Sequence, residues 1–158
     1  MIRHSDALRL ETMTGPDMTS VMTIEAQCFK HAHWENPDNF FNRPGRNPYV
    51  VRNKDDKIVG FLLLEGERGD NVFTIIKMAR HPDRRGKGIG PFILGRCRKI
   101  ATEMGAKRLF LRVRKSNTDA IGLYTREGFK AKKTRTGYYR NGSNATDKTA
   151  VEMELSLV

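Results

Sequence analysis

The stretch Val72-Phe73-Thr74-Ile75-Ile76-Lys77-Met78-Ala79-Arg80-His81-Pro82-Asp83-Arg84-Arg85-Gly86-Lys87-Gly88-Ile89-Gly90-Pro91 decides how this chain folds. Residues 72–78 are apolar and β-branched, the composition of a largely buried strand, and His81-Pro82-Asp83 ends the run. A glycine-rich turn follows, then Pro91, whose fixed φ and missing N–H suit the first position of a helix. Beyond it Ile93, Leu94, Cys97, Ile100, Ala101 and Met104 recur at three- and four-residue spacing, while Arg96, Arg98, Lys99 and Glu103 lie elsewhere on the wheel. Gly105 stops that helix. Strand, turn and helix together make an anion cradle. Backbone with few side chains approaches a phosphate closely and points several N–H groups at it beside the positive end of a helix dipole. Arg84, Arg85 and Lys87 add full charges.

Two other glycine motifs are excluded by position. A dinucleotide pattern G-x-G-x-x-G starting at Gly86 needs glycine where Pro91 stands, and Gly90 to Gly95 is followed by Arg96 rather than the Lys-Ser/Thr of a P-loop. What remains is R-x-x-G-x-G from Arg85 to Gly90, which by itself also suits a tight strand-to-helix turn with no ligand. Further on, past a second apolar strand at 109–113, comes Ser116-Asn117-Thr118-Asp119-Ala120-Ile121-Gly122-Leu123-Tyr124-Thr125-Arg126-Glu127-Gly128-Phe129. The two motifs, in this order and about thirty residues apart, resemble the GNAT superfamily of acetyl-CoA-dependent N-acetyltransferases, in the form of its ribosomal-protein N-terminal alanine acetyltransferase branch.

The resemblance implies a fold, a cosubstrate and a set of roles. In that family the strand before the cradle and the strand after its helix splay, and the pantetheine arm of acetyl-CoA enters between them. Here the main chain of Met78, Ala79 and Arg80 would bond the pantetheine, and Arg85, Gly86, Lys87, Gly88, Ile89 and Gly90 would hold the pyrophosphate, with Pro91 removing one donor. Asn117 would add an amide contact. Tyr124 matches the family's acid, since a phenol with a reference pKa near 10 keeps its proton at neutral pH for the departing thiolate. Otherwise it is a helix tyrosine packing under Phe129. Trp34, Tyr138 and Tyr139 match positions near the acceptor groove, or are ordinary packing residues.

One departure bears on mechanism. The related branch carries glutamate in L-E-V-R, whereas this chain reads Leu111-Arg112-Val113-Arg114, and a permanently protonated guanidinium takes no proton. Arg112 then either binds an acidic group on the substrate, pairs with a neighbouring carboxylate, or is a structural arginine on a strand face. His81 is the replacement base to test, a surface turn histidine being the alternative. Losing the glutamate is tolerable for one class of acceptor. At pH 7.5 roughly a third of an α-amine with a pKa near 7.8 is neutral, against about 0.1% of a lysine near 10.4. An acceptor at a protein or peptide N-terminus is therefore expected, with a small-molecule amine as the alternative. A CoA-binding protein without catalysis and a basic nucleic-acid module are the readings outside the enzyme class.

The rest of the chain fits around this centre. Its 158 residues suffice for one domain, 1–158, with a continuous core. Residues 7–11 read as a first strand, and Thr14-Gly15-Pro16-Asp17 opens an amphipathic helix carrying Met18, Val21, Met22, Cys28 and Phe29. Asn36 and Pro37 mark a short second helix, residues 42–48 a loop, and 49–52 with 58–64 a hairpin. After Phe129 a strand to Tyr139, a polar loop over 141–148 and a last alternating strand over 150–157 complete the chain. The order β-α-α-β-β-β-α-β-α-β-β is an α/β mixed arrangement: a twisted sheet of about seven strands with helices on both faces, in agreement with the GNAT fold. Cys28 and Cys97 are expected as reduced thiols in a cytoplasmic protein, and neither a metal site nor a membrane span is expected. Lys+Arg 29 against Asp+Glu 18 gives a formal charge of +11, which suits a ribosomal surface or another acidic partner, or a solvated basic surface.

Overall fold

The computed structural model describes residues 7–29, 43–84 and 88–158. These form β1 (Arg9–Thr12), α1 (Met18–Cys28), β2 (Arg46–Arg52), β3 (Ile58–Glu65), β4 (Val72–Arg80), α2 (Ile89–Glu103), β5 (Arg108–Arg114), α3 (Thr118–Arg126), β6 (Lys130–Arg135), α4 (Ala145–Lys148) and β7 (Ala150–Ser156). Seven strands share one sheet in the order β1-β2-β3-β4-β5-β7-β6. The β4–β5 pair is parallel, while β1–β2, β2–β3, β5–β7 and β6–β7 are antiparallel, so the sheet is mixed as expected. The helix expected at Asn36 and Pro37 lies outside the described residues. The chain divides into two compact units, residues 1–66 with 76–97 and residues 67–75 with 98–158.

In the first unit, alternation along β3 sends Phe61 and Leu63 to one face and Gly60, Leu62 and Leu64 to the other. Phe61 and Leu63 cluster with Val50 and Ala79 and with Val21 and Ile24 of α1. On the opposite face, a methyl group placed on Gly60 would come within 3.3 Å of Ile89 and 3.5 Å of Ile93, both of α2. Helices therefore cover both faces of β3. Two side-chain contacts fasten α1 to β4: an ion pair from Lys77 to the buried Glu25 (3.1 Å) and a hydrogen bond from the Cys28 thiol to the Arg80 carbonyl (3.1 Å). At the other end of α1, the Asp17 carboxylate accepts from the Thr14 N–H and hydroxyl and pairs with Arg52 at 2.6 Å.

In the second unit the β4–β5 register runs from Val72↔Arg108 to Ile75↔Leu111. Leu109, Leu111 and Val113 of β5 face the same way as Val151, Met153 and Leu155, their partners on β7, and all six are buried. Gly128, at φ +99, turns the chain out of α3 with its α-carbon beside Leu155, and Phe129 is buried immediately after it.

Several boundaries differ from the sequence reading for identifiable reasons. β2 begins at Arg46 rather than 49, through Pro48. The Pro48 carbonyl accepts from Met13 N–H, just past the end of β1, so the absent N–H faces a side where no further strand partner is needed. α2 begins at Ile89, placing Pro91 third rather than first in the helix, still within the turn whose N–H groups have no intrahelical use. β6 ends at Arg135, so Tyr138 and Tyr139 lie beyond the strand expected to reach them. The loop expected over 141–148 contains α4, capped by Asn144 accepting from Asp147 N–H.

Candidate active site

Residues of the cradle and of the pantetheine strand belong to the first unit. His81 N–H donates to the Val59 carbonyl at 2.7 Å. Along a strand, alternate residues direct their polar backbone to the same edge, so Ala79 shares that edge with β3, and Met78 and Arg80 present their N–H and C=O groups to the opposite one. The Arg80 carbonyl accepts from the Cys28 thiol, and the β4–β5 pairing runs only to Ile75↔Leu111, short of Met78 and Arg80. Gly88 has φ +73, a left-handed conformation that glycine adopts without penalty. Its carbonyl accepts the first helical bond from Phe92 N–H at 3.0 Å, so Ile89 and Gly90 stand in the first turn, where N–H groups lack intrahelical partners. This geometry fits an anion at the N-terminus of α2. Arg85, Gly86 and Lys87 lie outside the described residues.

His81 Nδ1 accepts from Asp83 N–H at 3.1 Å. That bond uses the lone pair on Nδ1 and leaves the proton on Nε2, so a proton-accepting role for His81 requires the turn hydrogen bond to give way.

The remaining predicted residues belong to the second unit. Asn117 caps α3, its side-chain oxygen accepting from Ala120 N–H at 3.2 Å, which leaves the side-chain NH2 as the group able to meet a ligand. Tyr124 is buried on the same helix, its ring centroid 5.7 Å from that of Phe129. Acid and packing residue are thus compatible descriptions of it, because the family motif places the aromatic partner five residues on.

Arg112, Tyr138 and Tyr139 come together on the sheet face of Phe110, Arg114 and Glu152. Arg112 Nε donates to Glu152 at 2.8 Å and Arg135 Nε donates to the same oxygen at 2.5 Å. Glu152 is directly opposite Arg112 in the β5–β7 register and is 6% exposed. Hydrogen bonding from Arg135, and secondarily from Arg112, holds its carboxyl below the usual range against the opposing effect of burial. The Arg112 guanidinium lies 4.9 Å from the Phe110 ring centre and 5.2 Å from that of Tyr138. Arg114 lies 4.0 Å over Tyr139 and donates to the Asn141 and Asp147 carbonyls. The two tyrosines meet edge to face at 5.0 Å. Burial pushes the Tyr139 phenol up, with Arg114 opposing. Of the three roles open to Arg112, pairing with a carboxylate is present. Trp34 lies outside the described residues.

The family model described as "Acetyltransferase (GNAT) family" matches residues 17–129. The chain belongs to the GNAT acetyltransferase family. It is 33% identical over 140 residues to a Bacillus subtilis protein provisionally named a ribosomal protein bS18-alanine N-acetyltransferase, across 86% of this chain and 90% of that one. Its fold is similar to that of the Escherichia coli ribosomal-protein-S18-alanine N-acetyltransferase, with a TM-score of 0.79 at 22% identity over 95% of this chain and 94% of the other. It is also similar to Arabidopsis thaliana Naa50 in complex with the bisubstrate analogue CoA-Ac-MVNAL, with a TM-score of 0.80 at 17% identity over 95% and 99%.

As a GNAT enzyme the chain is an acyltransferase that uses acetyl-CoA. Among the described residues no group of three or more His, Cys, Asp or Glu is placed to hold a metal ion, and no helix is long and apolar enough to cross a membrane. Sequence reasoning missed Glu152 and Arg135. Their signal was present in the last strand, where Glu152 and Glu154 alternate with Val151, Met153 and Leu155, but the antiparallel register that sets Glu152 against Arg112 is a long-range property.

Proposed function

We propose that this chain acetylates the α-amine of a protein or peptide N-terminus. The Bacillus subtilis relative supports an N-terminal alanine acceptor and makes a ribosomal protein the first candidate. The observation that carries the choice of an α-amine over a strongly basic amine is the state of Glu152. Two arginines hold it ionised and depress its basicity, so the carboxylate opposite Arg112 is a poor proton acceptor. An acceptor about one-third neutral at pH 7.5 needs little help, whereas lysine-like amines do.

When bound, acetyl-CoA supplies a thioester-activated acetyl group and a thiolate leaving group. Met78 and Arg80 bind its pantetheine through the main chain on either side of Ala79, and Arg85 to Gly90 hold the pyrophosphate. Asn117 contributes its side-chain NH2, and Tyr124 delivers a proton to sulfur. Tyr138 and Tyr139, beside Arg112, serve the acceptor, for which Trp34 is a further candidate by the family motif, and His81 is the residue to test for a proton relay. We place the protein in the cytoplasm, where free thiols such as Cys28 and Cys97 persist.

The test is mass spectrometry of a panel containing Ala-initiated peptides, internal lysines, polyamines and amino-sugars after incubation with acetyl-CoA. Acetyl groups are expected on peptide α-amines. Modification of a polyamine or amino-sugar with no peptide product would replace this reading with the small-amine one.

A further inference from the structure

Two adjoining concavities in the second unit have no part in the chemistry above. One, of about 460 Å³, lies by Arg98 and Lys99 at the end of α2; the other, of about 380 Å³, lies by Arg108, Lys130 and Lys132. They meet at Ser156, which lines both, and together make one basic surface. Its lining carries those five cationic side chains against two carboxylates, Glu103 and Glu154. Glu154 lies 3.8 Å from Arg108 Nε and opposite Lys130 in the β6–β7 register, and five cations against two carboxylates still leave the lining positive. β6, which supplies Lys130 and Lys132, is the edge strand of the sheet and is exposed along its whole length.

We infer that this surface binds the phosphate backbone of nucleic acid without reading its sequence. One anion needs one or two cations, whereas five spread over two hollows that meet at Ser156 match a polymer bearing a charge about every 3.4 Å per strand. The Thr102 hydroxyl in the lining is a further donor for phosphate oxygens, while the Ser156 hydroxyl already donates to the Val158 carbonyl at 3.1 Å. The lining contains no aromatic side chain, so bases find no stacking platform, and selectivity for sequence is not expected. Its apolar members are Leu155, Leu157 and Val158, so it lacks the aromatic anchors enriched at protein interface centres, and its excess of positive charge is the nucleic-acid kind. Keeping lysines on an edge strand also discourages strand pairing between molecules, but that role accounts for neither Arg98 and Lys99 on a helix nor the concavity.

The test is fluorescence anisotropy with labelled single-stranded RNA and DNA of mixed sequence, in saturating CoA so that the cradle is occupied. Binding should weaken steeply between about 50 and 200 mM salt, with a log–log slope near −3 for four to five phosphate contacts. The triple change Lys99→Glu, Lys130→Glu, Lys132→Glu should weaken binding at least tenfold and flatten the slope, with the CoA-induced thermal shift unchanged as the check on folding. A control with the same charge change, Lys54→Glu, Lys57→Glu, Lys115→Glu, should lose much less. Equal loss in both variants would reduce the effect to net charge. No binding at low salt, competition by polyglutamate as strong as by RNA, or capture of the protein by anionic vesicles in preference to RNA would each overturn the inference.

Discussion

Deleting only the phenolic oxygen of Tyr124 separates proton delivery from packing. Tyr124→Phe keeps the ring against Phe129 and so should leave CoA affinity near wild type, while turnover falls about a hundredfold or more. Unchanged turnover would mean that water protonates the thiolate. Glu152 offers a different handle, because its ionised form is bonded by Arg135 and Arg112 in the folded state. A carboxyl whose folded pKa is depressed contributes stability fully above its ordinary value, here 4.5, and loses it as pH falls through the lower folded value. Glu152→Gln should therefore melt a few degrees below wild type at pH 7, and the gap should close as pH drops below about 4.5. A gap that does not narrow as pH falls below 4.5 would assign the loss to packing rather than charge. Arg112 shows what was legible at this scale and what was not. Its departure from the related glutamate is visible in Leu111-Arg112-Val113-Arg114, but its partner is forty positions away, and only register brings them together.

At the level of elements, the helices and central strands followed from local signals, and the errors cluster where tertiary contacts override them. The spacing from Ile93 to Met104 and the stop at Gly105, with φ +94 and Ala106 N–H returning to the Ala101 carbonyl, are both local facts. The entry of Pro48 into β2 is not, since it depends on where β1 ends. Nor was the tight approach at Gly60 legible. A methyl group there would sit 2.9 Å from the Ala79 carbonyl oxygen, which is backbone of β4, as well as against Ile89 and Ile93. Gly60→Ala must push β4 or α2 away and should cost about 1–3 kcal/mol, lowering the melting temperature by roughly 2–4 °C for each kcal/mol. Because the displaced strand carries Met78 and Arg80, CoA affinity should fall with it. A variant as stable and as CoA-competent as wild type would show that the contact relaxes without moving the strand. Cys97 gives an independent report on α2. Its thiol is buried, and burial pushes its pKa up to about 12, so only Cys28 should react with a thiol reagent in the native protein.

For the molecule as a whole, two elements are divided between the compact units. β4 and α2 each contribute residues to both, so neither unit can unfold while those elements stay intact along their length. We therefore propose that 1–158 unfolds as one domain, giving a single calorimetric transition whose calorimetric and van't Hoff enthalpies agree. Acetyl-CoA or CoA at about a hundred times its dissociation constant adds about 2.7 kcal/mol to the native state, which for a chain of this size raises the melting temperature by roughly 5–11 °C. Gly88→Val forces a β-branched side chain into φ +73 at the cradle, so its own melting temperature should drop and its CoA-induced shift should vanish. The shift, measured against the variant's own ligand-free value, separates lost binding from lost stability. Two resolved transitions, only one of which moves with CoA, would show that the units fold separately and that ligand binding is confined to one of them. A full shift in Gly88→Val would instead move the phosphate site away from the N-terminus of α2, and with it the assignment of Ile89 and Gly90 as donors.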